Sequence, residues 1–149
     1  MKQEDKDLLL RYLCMALPYG LICSIYRIDD WNVGWRDENL TGYFDNGTAY
    51  EFYFGKSPIS IDNDISKIKP YLRPMSSMTE KEKKEYRRTQ IIKWVKSVDC
   101  TGGGYYEYKD TLKTYDWLKK HHFDFMGLIP RNLAIEVTEK NNPYNLTEE

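Results

Sequence analysis

The sequence predicts an α+β fold in a single domain, and three observations lead to this prediction. Apolar residues recur at helical spacing over residues 4–17, and they alternate with other residues in short runs between positions 21 and 54. A capping box at Thr79 then opens a second helical segment. We therefore expect an N-terminal helix, a curved antiparallel sheet of about four strands (a small barrel would also satisfy the pattern), and two C-terminal helices.

The first helix is predicted over residues 4–17. Leu9 and Leu13 fall on one face of it, and Pro18 ends it. The next segment, residues 21–28, is apolar on both of its faces. Such a segment is typical of a central strand in a sheet.

An aromatic meander is predicted to follow this strand. Large apolar residues alternate with small or polar ones over residues 31–35, and the polar run at 36–39 predicts a turn. A strand over 40–44 leads to a hairpin signal at 45–47, where Asn and Gly tolerate a positive φ. Alternating aromatic residues over 50–54 predict the returning strand.

A long charged helix is predicted after a link with several prolines. The link spans residues 58–74 and includes a short strand near 59–61. The Thr79 side chain and Glu82 form the capping box, and the helix is expected to run over 79–98. Its first half is charged and predicted to face solvent, and its second half carries the apolar residues Ile91, Trp94, Val95 and Val98.

The C-terminal third is predicted to hold a shorter helix and an edge strand. Three glycines at 102–104 break the chain, a helix follows over 111–121, and alternation at 133–137 predicts the strand. Residues from 139 onward lack an apolar period and are expected to be flexible. The predicted organisation is therefore one domain over 1–138 and a tail over 139–149.

Composition narrows the class of protein. The chain is 41% hydrophobic and 30% charged, as globular domains are, and its net charge of −1 gives no bulk attraction to nucleic acid or to an anionic membrane. The polar N-terminus does not resemble a secretory signal, and no apolar run reaches the ~20 residues of a membrane span. Three widely spaced cysteines predict reduced thiols. These features predict a cytoplasmic location and no membrane partner.

Three blocks of the sequence carry a resemblance to a known family. They are IKPYLRPMSSMT at 68–79, DWLKKHHFDFMGLIP at 116–130, and DLLL at 7–10 with LPYG at 17–20. The chain resembles small uncharacterised proteins of gut bacteria and of their phages or mobile elements, in which a charged helix follows the first block. The resemblance implies a lineage; it implies no activity and no catalytic residue.

His121 and His122 are the first candidates for chemistry, because imidazole is a common metal ligand and general base. Adjacent residues on a helix project about 100° apart, whereas ligand pairs usually sit four residues apart. A helix end gives the pair a structural use instead, through the last carbonyls and the dipole, and one of them could hold the turn at 123–125 in place. A hydrolase or transferase would need one imidazole to meet a carboxylate or thiol from elsewhere.

Other motifs predict no catalytic residue, no metal and no cofactor. The residues at 62–64 lack the glycine and the distal glutamate of a calcium loop. The glycines at 102–104 lack the Lys-Ser/Thr that a phosphate loop needs, and Cys100 has no histidine close in sequence.

The charged helix is a candidate for nucleic-acid binding. Phosphates favour its basic face, and Trp94 offers a ring for stacking on an unpaired base. Acidic residues in the first turn and basic residues toward the C-terminus also stabilise a helix without any ligand. The candidate residues are Lys81, Lys84, Arg87, Arg88 and Trp94.

Two rows of alternating large apolar residues, at 31–35 and at 50–54, are a candidate for protein binding. We call them the aromatic rows. If both rows point inward they form the core, and if one faces outward it forms a patch that a partner covers. The candidate residues are Trp31, Trp35, Tyr50 and Tyr53. We expect a non-enzymatic cytoplasmic accessory protein, of phage or mobile-element origin, that binds another protein or a second copy of itself. The alternative is nucleic-acid binding through the basic helix at 80–96.

Overall fold

The computed structural model describes residues 1–28, 33–55, 59–62, 64–96 and 103–144. The helices in this part of the chain are α1 (Gln3–Ala16), α2 (Glu80–Thr89) and α3 (Leu112–Lys120). Its strands are β1 (Ile22–Ile28), β2 (Val33–Asp45), β3 (Tyr50–Phe54), β4 (Ile59–Asp62), β5 (Ile68–Leu72), β6 (Ile91–Lys96), β7 (Gly104–Lys109) and β8 (Ile135–Glu136).

The main sheet is open and has the strand order β4-β3-β2-β1-β5-β8. Neighbouring strands are antiparallel, except that β8 runs parallel to β5. The α+β class, the N-terminal helix and the two later helices are confirmed, and β1 is the predicted central strand. The described sheet has six strands rather than about four, and it does not close into a barrel.

The additional strand β5 lies in the proline-containing link. Pro70 pairs with Cys23 of β1, and β8 pairs only with Tyr71 and Leu72. Pro70 therefore lies where the β5 strand is at an edge of the described sheet, and a missing amide hydrogen is tolerated there. Because proline is rare inside strands, the sequence pattern did not predict β5.

The predicted turn at 36–39 is wrong, because these residues lie within β2. Each of two acidic side chains in the run has a partner on another strand, β1 for Glu38 and β5 for Asp37. Glu38 accepts from Arg27 at 2.6 Å, and Asp37 accepts from the Tyr71 hydroxyl at 2.9 Å. Polar residues therefore continue the strand, and the irregularity in β2 falls later, as a bulge between Leu40 and Gly42.

The core lies between α1 and one face of the sheet. On α1, Leu9, Tyr12 and Leu13 are fully buried and follow the 3.6-residue period. They pack against buried sheet residues and against the C-terminal segment, including Leu21, Cys23, Ile25, Leu40, Phe52, Phe54, Ile68, Leu72, Leu128 and Leu133. Each such side chain contributes about 1.5–3 kcal/mol through burial.

The predicted helix over 79–98 is wrong in its second half. The capping box forms, with Thr79 accepting from the Glu82 amide, but α2 ends at Thr89 and residues 91–96 form β6. This strand pairs antiparallel with β7, Ile92 opposite Tyr108. β-branched residues favour a strand once a partner strand is present. Trp94 therefore lies on β6, and the basic helix runs over 80–89 rather than 80–96.

The chain beyond residue 138 is held in place as far as Tyr144. The Tyr144 hydroxyl accepts from the Ile22 amide at 3.2 Å and donates to the Tyr71 carbonyl at 2.8 Å. This bridge continues the β1–β5 pairing by one step. Residues 139–144 of the predicted tail thus contact the sheet through Tyr144, and residues 145–149 lie outside the described part of the chain; the flexibility of the tail stays a prediction.

Candidate functional site

Two of the blocks that carry the resemblance contact each other through the backbone. The amide of Arg73, just after β5, donates to the His122 carbonyl at 2.8 Å. The Arg73 carbonyl accepts from the Asp124 amide, also at 2.8 Å. Residues 68–79 and 116–130 therefore form one continuous local structure.

The Arg73 side chain extends this structure to α2. Its guanidinium makes two hydrogen bonds of 2.8 Å to the two oxygens of Glu82, and it lies 4.2 Å from the centre of the Phe123 ring. Glu82 also accepts from the Thr79 amide in the capping box. The Arg73 hydrogen bonds lower the pKa of Glu82 to about 2, so this carboxylate stays ionised.

The two histidines lie beside this ion pair. His121 caps α3, its ring packs 4.3 Å from that of Trp117, and its Nδ1 lies 3.9 Å from a Glu82 oxygen. His122 adopts a left-handed φ of 61° and stacks on Tyr144 at 3.8 Å, with 6° between the rings. Burial lowers both pKa values, that of His122 to about 4. Ring packing therefore positions the two histidines. Because a lowered pKa favours the neutral imidazole, the expected interaction of a charged imidazole with the dipole of α3 is weak.

A recess of about 370 Å³ lies beside these groups and is lined by Arg73, Lys120, His121, His122, Asn142 and Tyr144. The enzyme hypothesis requires an imidazole that meets a carboxylate or a thiol here. The Glu82 carboxylate is close, but both of its oxygens bind Arg73. The described residues that line this recess include no serine, threonine or cysteine.

Two further recesses follow the junction of α2 and α3, where Tyr86 and Trp117 pack at 5.8 Å. One of about 490 Å³ is lined by Glu85, Arg88, Trp117, Lys120 and His121. The other, of about 540 Å³, is lined by Arg88, Thr89, Gln90, Thr111, Leu112 and Lys113. Neighbouring recesses share lining residues, so the three lie side by side, and we call the three together the α2–α3 groove.

Three exposed cations of α2 and α3 line this groove, Arg88, Lys113 and Lys120, and the other cations of the two helices lie on the same elements. Lys83 pairs with Glu80, and Lys119 pairs with Asp116. The other cations of the two helices make no ion pair with a described residue: Lys81, Lys84, Arg87, Arg88, Lys113 and Lys120. The structure thus brings the predicted Arg88 together with two lysines that sequence reasoning missed. Lys113 and Lys120 are seven residues apart, so they lie on one face of α3, and this spacing could have identified them from the sequence.

A second candidate surface lies on the face of the sheet opposite α1. Tyr26 and Ile28 of β1 lie directly opposite Trp35 and Val33 of β2. Ile28 is 70% exposed, Val33 is 65% exposed and Trp35 is 50% exposed. The rings of Tyr26 and Trp35 meet edge to face at 5.5 Å. We call these four residues the outer-face patch.

The two aromatic rows therefore have different environments. Phe52 and Phe54 are fully buried, and Tyr50 packs half-buried beside Phe52 on the core side. Tyr53 lies on the outer face, and its hydroxyl donates to Glu51 at 2.6 Å.

Of the four predicted protein-binding residues, only Trp35 belongs to the outer-face patch. Trp31 lies outside the described residues. Trp94 of the nucleic-acid set has a described backbone on β6, and its side chain lies outside the description.

Among the described residues, no group of three His, Cys, Asp or Glu residues is placed to hold a metal ion. No helix in this part of the chain combines the length and apolar character needed to cross a bilayer. No family model, curated protein or solved structure matches this chain.

Proposed function

We propose that this protein is a non-enzymatic accessory protein that binds another protein through the outer-face patch. The observation that carries the proposal is the exposure of Ile28, Val33 and Trp35 side by side on two paired strands. Burying such side chains under a partner contributes about 1.5–3 kcal/mol each.

The composition of the patch supports this proposal. Tryptophan and tyrosine are enriched among the residues that dominate binding energy at protein interfaces. Polar groups flank the patch on the same face, including Asp37, which accepts from the Tyr71 hydroxyl. An apolar centre with a polar rim is the usual anatomy of an interface.

The proposal includes a cytoplasmic location and the phage or mobile-element lineage. Cys14 and Cys23 are free thiols, as expected in a reducing compartment. The lineage rests on the sequence resemblance of the blocks at 68–79 and 116–130.

The test compares the wild-type protein with Trp35→Ser and Phe44→Ser. Phe44 is a matched control, because it is 54% exposed on the same face of the sheet but outside the patch. Quantitative affinity capture from native lysate identifies candidate partners, and calorimetry with the purified partner measures affinity. Light scattering measures whether the partner is a second copy.

We expect Trp35→Ser to weaken the interaction at least tenfold, because truncating a central tryptophan typically costs 2 kcal/mol or more. Phe44→Ser should leave the affinity within about twofold. A partner lost equally from both variants, or a strictly monomeric wild-type protein without a partner, contradicts the proposal.

A further inference from the structure

We propose that the α2–α3 groove binds a single strand of nucleic acid through its phosphates. The site is distinct from the outer-face patch, so this inference goes beyond the protein-binding function. Three observations support this proposal: the distribution of charge along the chain, the positions of cations without an ion-pair partner among the described residues, and the recesses of the groove.

Charge is segregated along the chain despite the net value of −1. Residues 73–133 contain 13 Lys and Arg against 8 Asp and Glu, whereas residues 1–72 contain 8 against 11. The basic segment includes both helices of the groove. A phosphate strand is therefore favoured by the segment that contains these helices, although the overall charge is slightly negative.

The cations that line the groove belong to both of its helices. Lys113 and Lys120 border opposite ends of α3, about 10 Å apart along the helix axis at 1.5 Å per residue. Arg88 borders the two recesses between them from the α2 side. Lys84 lies one turn before Arg88, about 6 Å away along its helix. Cations on both helices of the groove match the path of a single-stranded backbone.

The recesses favour a nucleotide over an acidic peptide. Their volumes of about 370–540 Å³ are those of small-molecule sites, which a base can occupy. Glu85 lines the middle recess and repels phosphate from that position. The His121 ring, packed on Trp117 and partly exposed, offers a surface for a base there. Phosphates then lie at the two ends, beside Arg88 with Lys113 and beside Lys120.

A single strand is inferred because an unpaired base can enter recesses of this size, whereas the paired bases of a duplex cannot. About three or four phosphates contact the groove cations, so affinity is modest and sequence-independent, and it depends on salt. For single strands the slope of log affinity against log salt is about −0.7 per phosphate, hence about −2 to −3 here.

Fluorescence anisotropy with labelled dT12 and rU12 tests the proposal. Between 50 and 200 mM NaCl we expect the affinity to fall roughly 20- to 50-fold, from that slope. The triple variant Arg88→Gln, Lys113→Gln, Lys120→Gln should bind at least tenfold more weakly at 50 mM NaCl, with a flatter salt dependence. Circular dichroism confirms that this variant, changed only at exposed positions, remains folded.

Two control variants distinguish an effect of the groove cations from an effect of the protein's total charge. Lys2→Gln, Lys6→Gln, Arg11→Gln removes three exposed cations of the α1 segment and should bind like the wild type. Arg88→Lys, Lys113→Arg, Lys120→Arg keeps the charge and should retain binding within about threefold. Trp35→Ser should also bind normally, so this proposal and the protein-binding proposal fail independently.

Four results overturn the proposal: no binding at 50 mM NaCl, equal weakening by both glutamine triples, tighter binding of a 12-base-pair duplex, or displacement of the strand by polyglutamate at equal charge concentration. The last result would assign the groove to acidic peptides.

Discussion

Arg73 joins three segments of the chain through different atoms. Its backbone pairs with residues on both sides of Phe123, its guanidinium binds Glu82 on α2, and the plane of the same group lies over the Phe123 ring. A lysine could not reproduce the two parallel hydrogen bonds or the stacking. This one side chain therefore ties α2 to the end of β5 and to the segment around Phe123.

The ion pair of Arg73 and Glu82 leads to a prediction about stability. We expect Glu82→Gln to lower the free energy of unfolding by about 1–2 kcal/mol, because it weakens a half-buried, charge-assisted pair. Glu80→Gln is the control, since Glu80 is exposed and its ion pair contributes little. Urea denaturation at pH 7 measures both. Equal effects of the two variants would contradict a structural role for the pair.

His122 leads to a prediction about pH. Burial lowers its pKa from 6.5 to about 4, so below pH 6.5 the unfolded chain binds a proton that the folded chain does not. Stability attributed to His122 is therefore full above pH 6.5 and is lost as the pH falls toward 4. We expect a loss of about 1–2 kcal/mol between pH 7 and pH 5.

Urea denaturation of wild type and His122→Asn at the two pH values measures this contribution. Asparagine tolerates the left-handed φ of this position but does not titrate in this range. The variant should be less stable at pH 7 and should lose less stability on acidification. A variant with the same pH dependence as the wild type would refute the assignment to His122.

At the scale of elements, the helix start was predictable and the helix end was not. The capping box at Thr79 is a local pattern and appears as predicted. The apolar residues from Ile91 onward fit a helix or a strand equally well in sequence. The choice depends on pairing with β7, which lies beyond a segment rich in glycine. Long-range pairing of this kind overrides a local period.

The β1–β5 pairing leads to a prediction about a single hydroxyl. Tyr144→Phe keeps the ring that stacks on His122 but leaves the Ile22 amide and the Tyr71 carbonyl without the bridging oxygen. We expect a loss of about 1–2 kcal/mol in the free energy of unfolding.

The matched control is Tyr19→Phe, which removes an exposed hydrogen bond to Asp116. It should change the free energy of unfolding by less than about 0.5 kcal/mol. Thermal and urea denaturation measure both variants, and hydrogen exchange at Ile22 reports the bridge directly. Unchanged exchange in Tyr144→Phe would show that the hydroxyl does not protect this amide.

At the scale of the whole molecule, the sequence identifies candidate residues but does not show which of them share a surface in the folded protein. Val33 and Trp35 alternate in the same way as Phe52 and Phe54, yet the first pair is exposed and the second is buried. The difference depends on which face of the sheet α1 covers. For the same reason, Arg88 could be predicted from its own helix, whereas its proximity to Lys113 depends on the packing of two helices.

The bridge made by Tyr144 has a consequence for biosynthesis. Ile22 and Tyr144 are separated by 122 positions, so this contact has a very large sequence separation. At 5–20 residues per second, a ribosome adds Tyr144 to the chain roughly 6–24 seconds after Ile22. During translation, β1 is therefore synthesised several seconds before the residue that bridges its Ile22 amide to β5.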